Sequence, residues 1–226
     1  MQYKYILCDA DDTLLDFAEA ERRAFKESLS EFGVTFTDEI YDRYHVINDN
    51  YWKLLELGQT TREKLKFARF ATLFSETGIL DESAAGDFAV AYVKNLSHHC
   101  VIFPGVLETL SKLSEKYDIY IITNGLSVSQ HGRLDNSPIM DYAKDMYISE
   151  EIGHAKPSKE YFDYVLSAIG DTDLTKYIVV GDSPTSDIKG AVSYGLDSCF
   201  VTNCKEYADH GQTYTISSFN DITDIL

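Results

Sequence analysis

Tyr5-Ile6-Leu7-Cys8-Asp9-Ala10-Asp11-Asp12-Thr13 sets a short apolar run directly against an acidic turn. The run reads as a buried strand, and the turn places two carboxylates, two positions apart, where that strand stops. Residues two apart on an extended strand point to the same side, and where the strand breaks into a turn the second can swing beside the first. One carboxylate could then attack an electrophile while the other carries a proton. An acidic turn that merely ends a strand has the same local sequence, so the remainder of the chain decides between the two.

Further β-rich runs follow at Ile119 to Ile122, Met146 to Ile148, Tyr177 to Val180, Cys199 to Val201 and, more weakly, Tyr214 to Ile216. Helical patterns separate most of them. After Pro104-Gly105, residues Val106, Leu107, Leu110 and Leu113 fall on one helical face; after Pro157, so do Tyr161, Phe162, Val165, Leu166 and Ile169. Gly195 stands where a left-handed cap closes a third helix. This alternation implies an α/β fold, a doubly wound parallel sheet of Rossmann type with helices on both faces.

Residues 15–100 break the alternation. They are rich in helix formers and aromatics, with apolar spacing at Trp52, Leu54, Leu55 and Leu57 and again at Leu65, Phe67, Phe70, Leu73 and Phe74. The expectation is a helical cap domain over 15–100, inserted into a catalytic core made of 1–14 and 101–226 and seated over the carboxyl ends of its strands. Trp52, an aromatic among leucines at helical spacing, reads more readily as core than as a base-stacking residue. Arg62 suits a base carbonyl or phosphate as well as a solvated helix face.

At 226 residues, 44% hydrophobic and 25% charged, the chain can bury a substantial core. No segment approaches the roughly 20 apolar residues that span a bilayer, and no signal peptide is legible before Asp9, so the cytoplasm is the expected location. Cys8, Cys100, Cys199 and Cys204 form no CxxC pair and read as reduced thiols. The net charge of −17 argues against a nucleic-acid polymer as partner. A phosphate-bearing small molecule would need local positive charge from a metal, a lysine and backbone N–H groups.

Those elements stand at the other strand ends. Thr123-Asn124-Gly125 offers a hydroxyl, an amide and exposed N–H groups to phosphate oxygens, though Asn-Gly is also ordinary turn chemistry. Lys156, in Ala155-Lys156-Pro157-Ser158 before a helix, can offset a carboxylate nucleophile and a phosphoryl group; a solvated lysine is the plain alternative. Gly181-Asp182-Ser183-Pro184-Thr185-Ser186-Asp187 puts Asp182 where, with Asp9, it is suited to hold Mg²⁺, which takes oxygen ligands. Asp187 is suited to fix the metal's water or orient Lys156, and equally to cap a helix N-terminus.

Taken as a set, these segments resemble the four motifs of the haloacid dehalogenase superfamily over essentially the full length. Asp9 to Thr13 is similar to its first motif, Thr123 to its second, Lys156 to its third and Gly181 to Asp187 to its fourth. The resemblance implies Asp9 as nucleophile, Asp11 as general acid and base, and Mg²⁺ held by Asp9, the Asp11 carbonyl and Asp182. It also implies a phosphate site at Thr123, Asn124, Gly125 and Lys156, with Thr13 and Asp187 supporting the metal and the lysine.

More narrowly, Cys8 to Phe17, Asn48 with Tyr51-Trp52, Thr61-Arg62-Glu63, Ile121 to Gly125 and Ile148 to Gly153 with Ala155-Lys156-Pro157 resemble the house-cleaning pyrimidine 5'-nucleotidases. Cys8 stands where many members carry Phe, a packing change. The resemblance implies a Mg²⁺-dependent phosphomonoester hydrolase that works through an aspartyl-phosphate on small-molecule substrates, a 5'-nucleotidase acting on pyrimidine nucleoside monophosphates. A phosphoglycolate or sugar phosphatase or a phosphomutase shares the scaffold, and a 2-haloacid dehalogenase would have no use for a leaving-group acid at Asp11. A silent phospho-ligand-binding protein is the rival from another class.

Overall fold

The computed structural model describes residues 3–202, 204 and 209–226. Among the described residues, six strands form one sheet: β1 (Tyr5–Cys8), β2 (Asp118–Thr123), β3 (Ala143–Ile148), β4 (Tyr177–Gly181), β5 (Asp197–Val201) and β6 (Tyr214–Ile216). Their order is β3-β2-β1-β4-β5-β6 and every pairing is parallel. The helices are α1 (Phe17–Glu31), α2 (Asp38–Glu56), α3 (Arg62–Thr77), α4 (Ala85–Ser97), α5 (Val106–Ser114), α6 (Ser127–Leu134), α7 (Ser149–Ile152), α8 (Lys159–Ile169) and α9 (Lys189–Tyr194). No helix among the described residues is long and apolar enough to cross a membrane.

The chain divides into two compact units, 1–18 with 100–226, and 19–99. The first break falls four residues beyond the boundary expected from the sequence, for a local reason. Leu15 bridges Ile102 in antiparallel fashion, Asp16 N–H donates to Val101 O, and Phe103 N–H donates to Leu14 O, so the outgoing and returning chains are tied together inside the first unit.

In the first unit the sheet buries both faces, as parallel sheets do. Ile6 and Cys8 of β1 join Ile119, Ile121, Ile178 and Val180 on one side, covered by Val106, Leu110 and Leu113 of α5. Tyr5 and Leu7 point to the other, with Ile122, Tyr177 and Val179, under Tyr161, Phe162, Val165 and Leu166 of α8. Alternate residues of one strand thus serve two cores. Burying one such aliphatic side chain contributes about 1.5–3 kcal/mol. Gly195 closes α9 at φ +90°, in the left-handed region as expected.

The second unit is all helix. Its core is an aromatic cluster in which Phe25 stacks on Tyr44 at 4.4 Å, Tyr44 on Phe70 at 5.5 Å, and Phe74 meets Phe88 edge-on at 5.2 Å. Leu65, Phe70, Leu73 and Phe74 are buried as their spacing predicts. Leu57 and Phe67 are instead exposed, and Trp52 is half-buried rather than core. The α2 face that packs inward carries Tyr41, Tyr44 and Ile47, a stripe set by tyrosines that a hydropathy pattern undervalues.

Buried at the centre of this unit is a carboxylate. Glu21 accepts hydrogen bonds from Tyr44 and Tyr92 hydroxyls and from Asn48 Nδ2, each at 3.2 Å. Asn48 Oδ1 in turn accepts from Arg69 Nη1 at 2.5 Å, and the guanidinium lies 4.7 Å from the Phe70 ring centre. A buried carboxyl group is tolerated when its oxygens are hydrogen-bonded in this way.

Candidate active site

Because β1 lies between β2 and β4 and all three run parallel, their carboxyl ends meet at one edge. Asp9 follows β1, Thr123 ends β2 and Asp182 follows β4. Asp9 N–H donates to Val180 O at 2.8 Å, which continues the ladder one residue and fixes where the side chain departs. The turn after it closes on itself: Leu14 and Leu15 N–H both donate to Ala10 O at 2.9 Å, with Asp12 at φ +58°. Aspartate is one of the few side chains that adopts that left-handed conformation readily.

Lys156 reaches this edge from the loop before α8. Its Nζ donates to Asp9 Oδ1 at 2.5 Å, Asp187 Oδ1 at 2.7 Å and Ile122 O at 2.9 Å, and the residue is 2% exposed. Burial pulls the lysine pKa down, and the carboxylates of Asp187 and Asp9 outweigh it, so the ammonium is held above its ordinary range. Asn124 fixes the backbone of that loop, its Oδ1 accepting from Lys156 N–H at 2.9 Å and its Nδ2 donating to Lys156 O at 2.8 Å. The Asn124 amide is therefore engaged with the lysine's main chain. The Lys156–Pro157 peptide is cis.

Asp187 has no exposed surface. It lies in the π-helical turn Pro184–Ile188, and its Oδ2 accepts from Ser183 N–H at 3.1 Å. A Cβ added at Gly181 would lie 2.3 Å from that carboxylate, so the glycine makes the room in which Asp187 sits. Thr13 Oγ1 donates to Asp182 Oδ1 at 3.2 Å, and Thr123 Oγ1 accepts from Gly125 N–H at 3.0 Å.

Asp9, Asp182 and Asp187 each offer an oxygen within 4.8 Å of the others. Burial raises Asp182 to about 7, helped by Asp187 and Asp12, while the Thr13 hydroxyl and Lys156 oppose. Asp9 is also pushed up by burial against the pull of Lys156, with Asp187 and Asp182 adding to the push. Two crowded carboxyls that resist ionising, Asp9 and Asp182, suit a hard divalent cation, which favours their charged forms. Asp9 and Asp182 have the freer oxygens; Asp187 is largely committed to Lys156 and Ser183. Beside Asp182, a cavity of about 540 Å³ is lined by Asp12, Thr13, Phe103, Ser218 and Asn220.

Asp11 stands apart from that group. Its Oδ1 accepts from Arg133 Nη1 at 2.6 Å, and its Oδ2 from Arg133 Nη2 at 2.9 Å and Gln130 Nε2 at 2.8 Å. The two carboxylates of the opening motif thus have separate partners, Lys156 for one and α6 for the other. Sequence reasoning missed Gln130 and Arg133. Their three-residue spacing on α6 was the available signal, since it puts both on one helix face.

The haloacid dehalogenase-like hydrolase pattern matches residues 3–195. The chain is 34% identical to the pyrimidine 5'-nucleotidase PynA of Streptococcus pneumoniae, covering 100% of this chain and 96% of that one. It is 32% identical to the pyrimidine 5'-nucleotidase YjjG of Escherichia coli, over 100% and 99%. The magnesium-bound crystal structure of the HAD-hydrolase YfnB from Bacillus subtilis superposes with a TM-score of 0.92 at 32% identity, over 100% of this chain and 99% of that one. With the four motifs gathered at one sheet edge, the chain belongs to the haloacid dehalogenase-like hydrolase family.

Proposed function

We infer that the protein is a Mg²⁺-dependent phosphomonoester hydrolase working through an aspartyl-phosphate, and that pyrimidine nucleoside 5'-monophosphates are its substrates. The observation that carries the chemistry is the Asp9 carboxylate at the end of β1, held by the Lys156 ammonium at 2.5 Å. The nucleotide preference rests on likeness to YjjG and PynA.

In the first step an Asp9 oxygen forms a bond to phosphorus as the bond to the nucleoside 5'-oxygen breaks, and Asp11 gives that oxygen its proton. In the second, Asp11 takes a proton from water as the water oxygen bonds to phosphorus, releasing inorganic phosphate and free Asp9. Lys156, the Thr123 hydroxyl and the N–H groups after it would balance charge on the transferring phosphoryl group, the largest contribution in such reactions. Asp9, Asp182 and the Asp11 carbonyl would hold the cation, which when bound supplies charge neutralisation for the nucleophile and the phosphate. Thr13 would orient Asp182, and Asp187 would orient Lys156.

The helical unit 19–99, inserted directly after the nucleophile's motif, is proposed as the cap that selects the substrate. The free thiols of Cys8, Cys100 and Cys199 fit a cytoplasmic location, and the charge of −17 fits a small phosphate ester rather than a nucleic-acid polymer.

A phosphate-release screen over UMP, dUMP, dTMP, hexose phosphates and phosphoglycolate, with Mg²⁺ and with EDTA, tests the reading. Mg²⁺-dependent release favouring the pyrimidine nucleotides supports it. Preference for a sugar phosphate or phosphoglycolate overturns the substrate class, and no release from any ester overturns the activity.

A further inference from the structure

We propose that Arg133 and Gln130 are positioning residues that aim the Asp11 carboxylate for proton transfer, an inference that rests on the phosphatase reading above. Arg133 is 2% exposed, and its guanidinium lies 5.4 Å from the Phe17 ring centre while Nε donates to Ser129 O at 3.3 Å. Burying a guanidinium is costly unless a carboxylate answers it, and Asp11 answers it with both oxygens. A two-point fork fixes the plane of the carboxylate as well as its place, which a single contact does not.

Gln130 carries a second, independent sign. It is 1% exposed, its Nε2 donates to Asp11, and its Oε1 is buried with no hydrogen-bond partner among the described residues. An amide that leaves half its bonding unmet in the interior is costly there, so its contact with Asp11 is what the position supplies. Room for it is made on purpose: a Cβ at Gly125 would lie 2.0 Å from Gln130 Nε2. The backbone of Gly125 is not in the left-handed region, so space rather than turn conformation demands the glycine. The Thr-Asn-Gly segment therefore serves Asp11 as well as the phosphate. Asp11 keeps 23% of its side chain exposed, so the clamp does not seal the carboxylate from solvent.

The test uses the whole protein with Mg²⁺ and two substrates, UMP, whose alkoxide must be protonated as it leaves, and p-nitrophenyl phosphate, whose phenolate leaves without a proton. Arg133→Met should lower kcat/KM, which reports the steps up to departure of the leaving group, by roughly 10²-fold on UMP, the scale of a displaced general acid, and by less than about 5-fold on p-nitrophenyl phosphate. Gln130→Leu should show the same substrate pattern with a smaller loss, and it carries the test if Arg133→Met does not fold by circular dichroism. In the Asp11→Asn background either substitution should cost little more on UMP. Equal losses on the two substrates, full additivity with Asp11→Asn, or a faster variant would each overturn the proposal. If the unaltered protein hydrolyses neither ester, the phosphatase reading itself fails and the proposal with it.

Discussion

Lys156 Nζ and Asp187 Oδ1 lie 2.7 Å apart, and neither residue is more than 2% exposed. The lysine that the sequence suits to offsetting a carboxylate nucleophile is thus a buried cation shared between two carboxylates, Asp187 behind it and Asp9 in front. Removing it should leave both uncompensated. Lys156→Met is expected to lower stability by about 3–5 kcal/mol and kcat by at least ~10²-fold. Denaturant melts and steady-state phosphate release check this, and a stable, active variant would place the stabilising charge elsewhere.

Gly181→Ala should act on the same pair from the other side. Its Cβ would meet the Asp187 carboxylate at 2.3 Å, so Asp187 must move off Lys156 or the strand end must shift. Overpacking of this kind costs about 1–3 kcal/mol, and activity should fall more than roughly tenfold because the reacting groups depend on sub-ångström placement. Unchanged kinetics with an unchanged melting temperature would show that Asp187 does not set the position of the ammonium.

Asp182 predicts how metal and pH combine. Its folded pKa, near 7, is above the unfolded value of 3.8, so between those limits the native state binds more protons than the unfolded state. The metal-free protein should therefore lose stability as pH rises from about 4 to 7, by a few kcal/mol at most. Mg²⁺, favouring the ionised oxygens, should raise Tm more at pH 8 than at pH 5. Thermal melts with EDTA and with Mg²⁺ at both pH values decide it, and a Mg²⁺ shift that is larger at pH 5 would contradict the assignment of Asp182 to the cation.

Glu21 should matter for the helical unit's folding. Glu21→Ala strips partners from the Tyr44 and Tyr92 hydroxyls and from Asn48 Nδ2 in a dry interior, and should destabilise by roughly 2–4 kcal/mol. Glu21→Gln keeps the shape and an acceptor and should cost less. Urea melts of both variants test the order, and equal, negligible effects would mean that the tyrosines find other partners.

Much of this was legible because it follows from periodicity. The six strands follow from short apolar runs, and in a parallel sheet the residues that end or follow each run land at the same edge, which puts Asp9, Thr123 and Asp182 together. What escaped notice depends on pairing across the sheet edge. Arg133 and Gln130 sit on a helix whose pattern says only that one face is polar, and nothing local reveals that this face meets Asp11, 119 and 122 residues away in sequence. Gly125 and Gly181 look like turn glycines, and the need they meet is space for Gln130 and Asp187. The helical pattern misled at Leu57, which caps α2 where Tyr41 and Tyr44 hold the interior, and at Phe67, which lies off the α3 face that buries Leu65, Phe70, Leu73 and Phe74.

If the mechanism holds, Asp9 becomes phosphorylated during turnover. Quenching the protein during turnover of UMP with Mg²⁺, then reducing with borohydride, converts an acyl phosphate to the alcohol, so peptide mass spectrometry reports which side chain carried it. Homoserine should appear at position 9, dependent on substrate and absent from Asp9→Asn. Phosphate release with no modification at Asp9, or with the label on another residue, would contradict it.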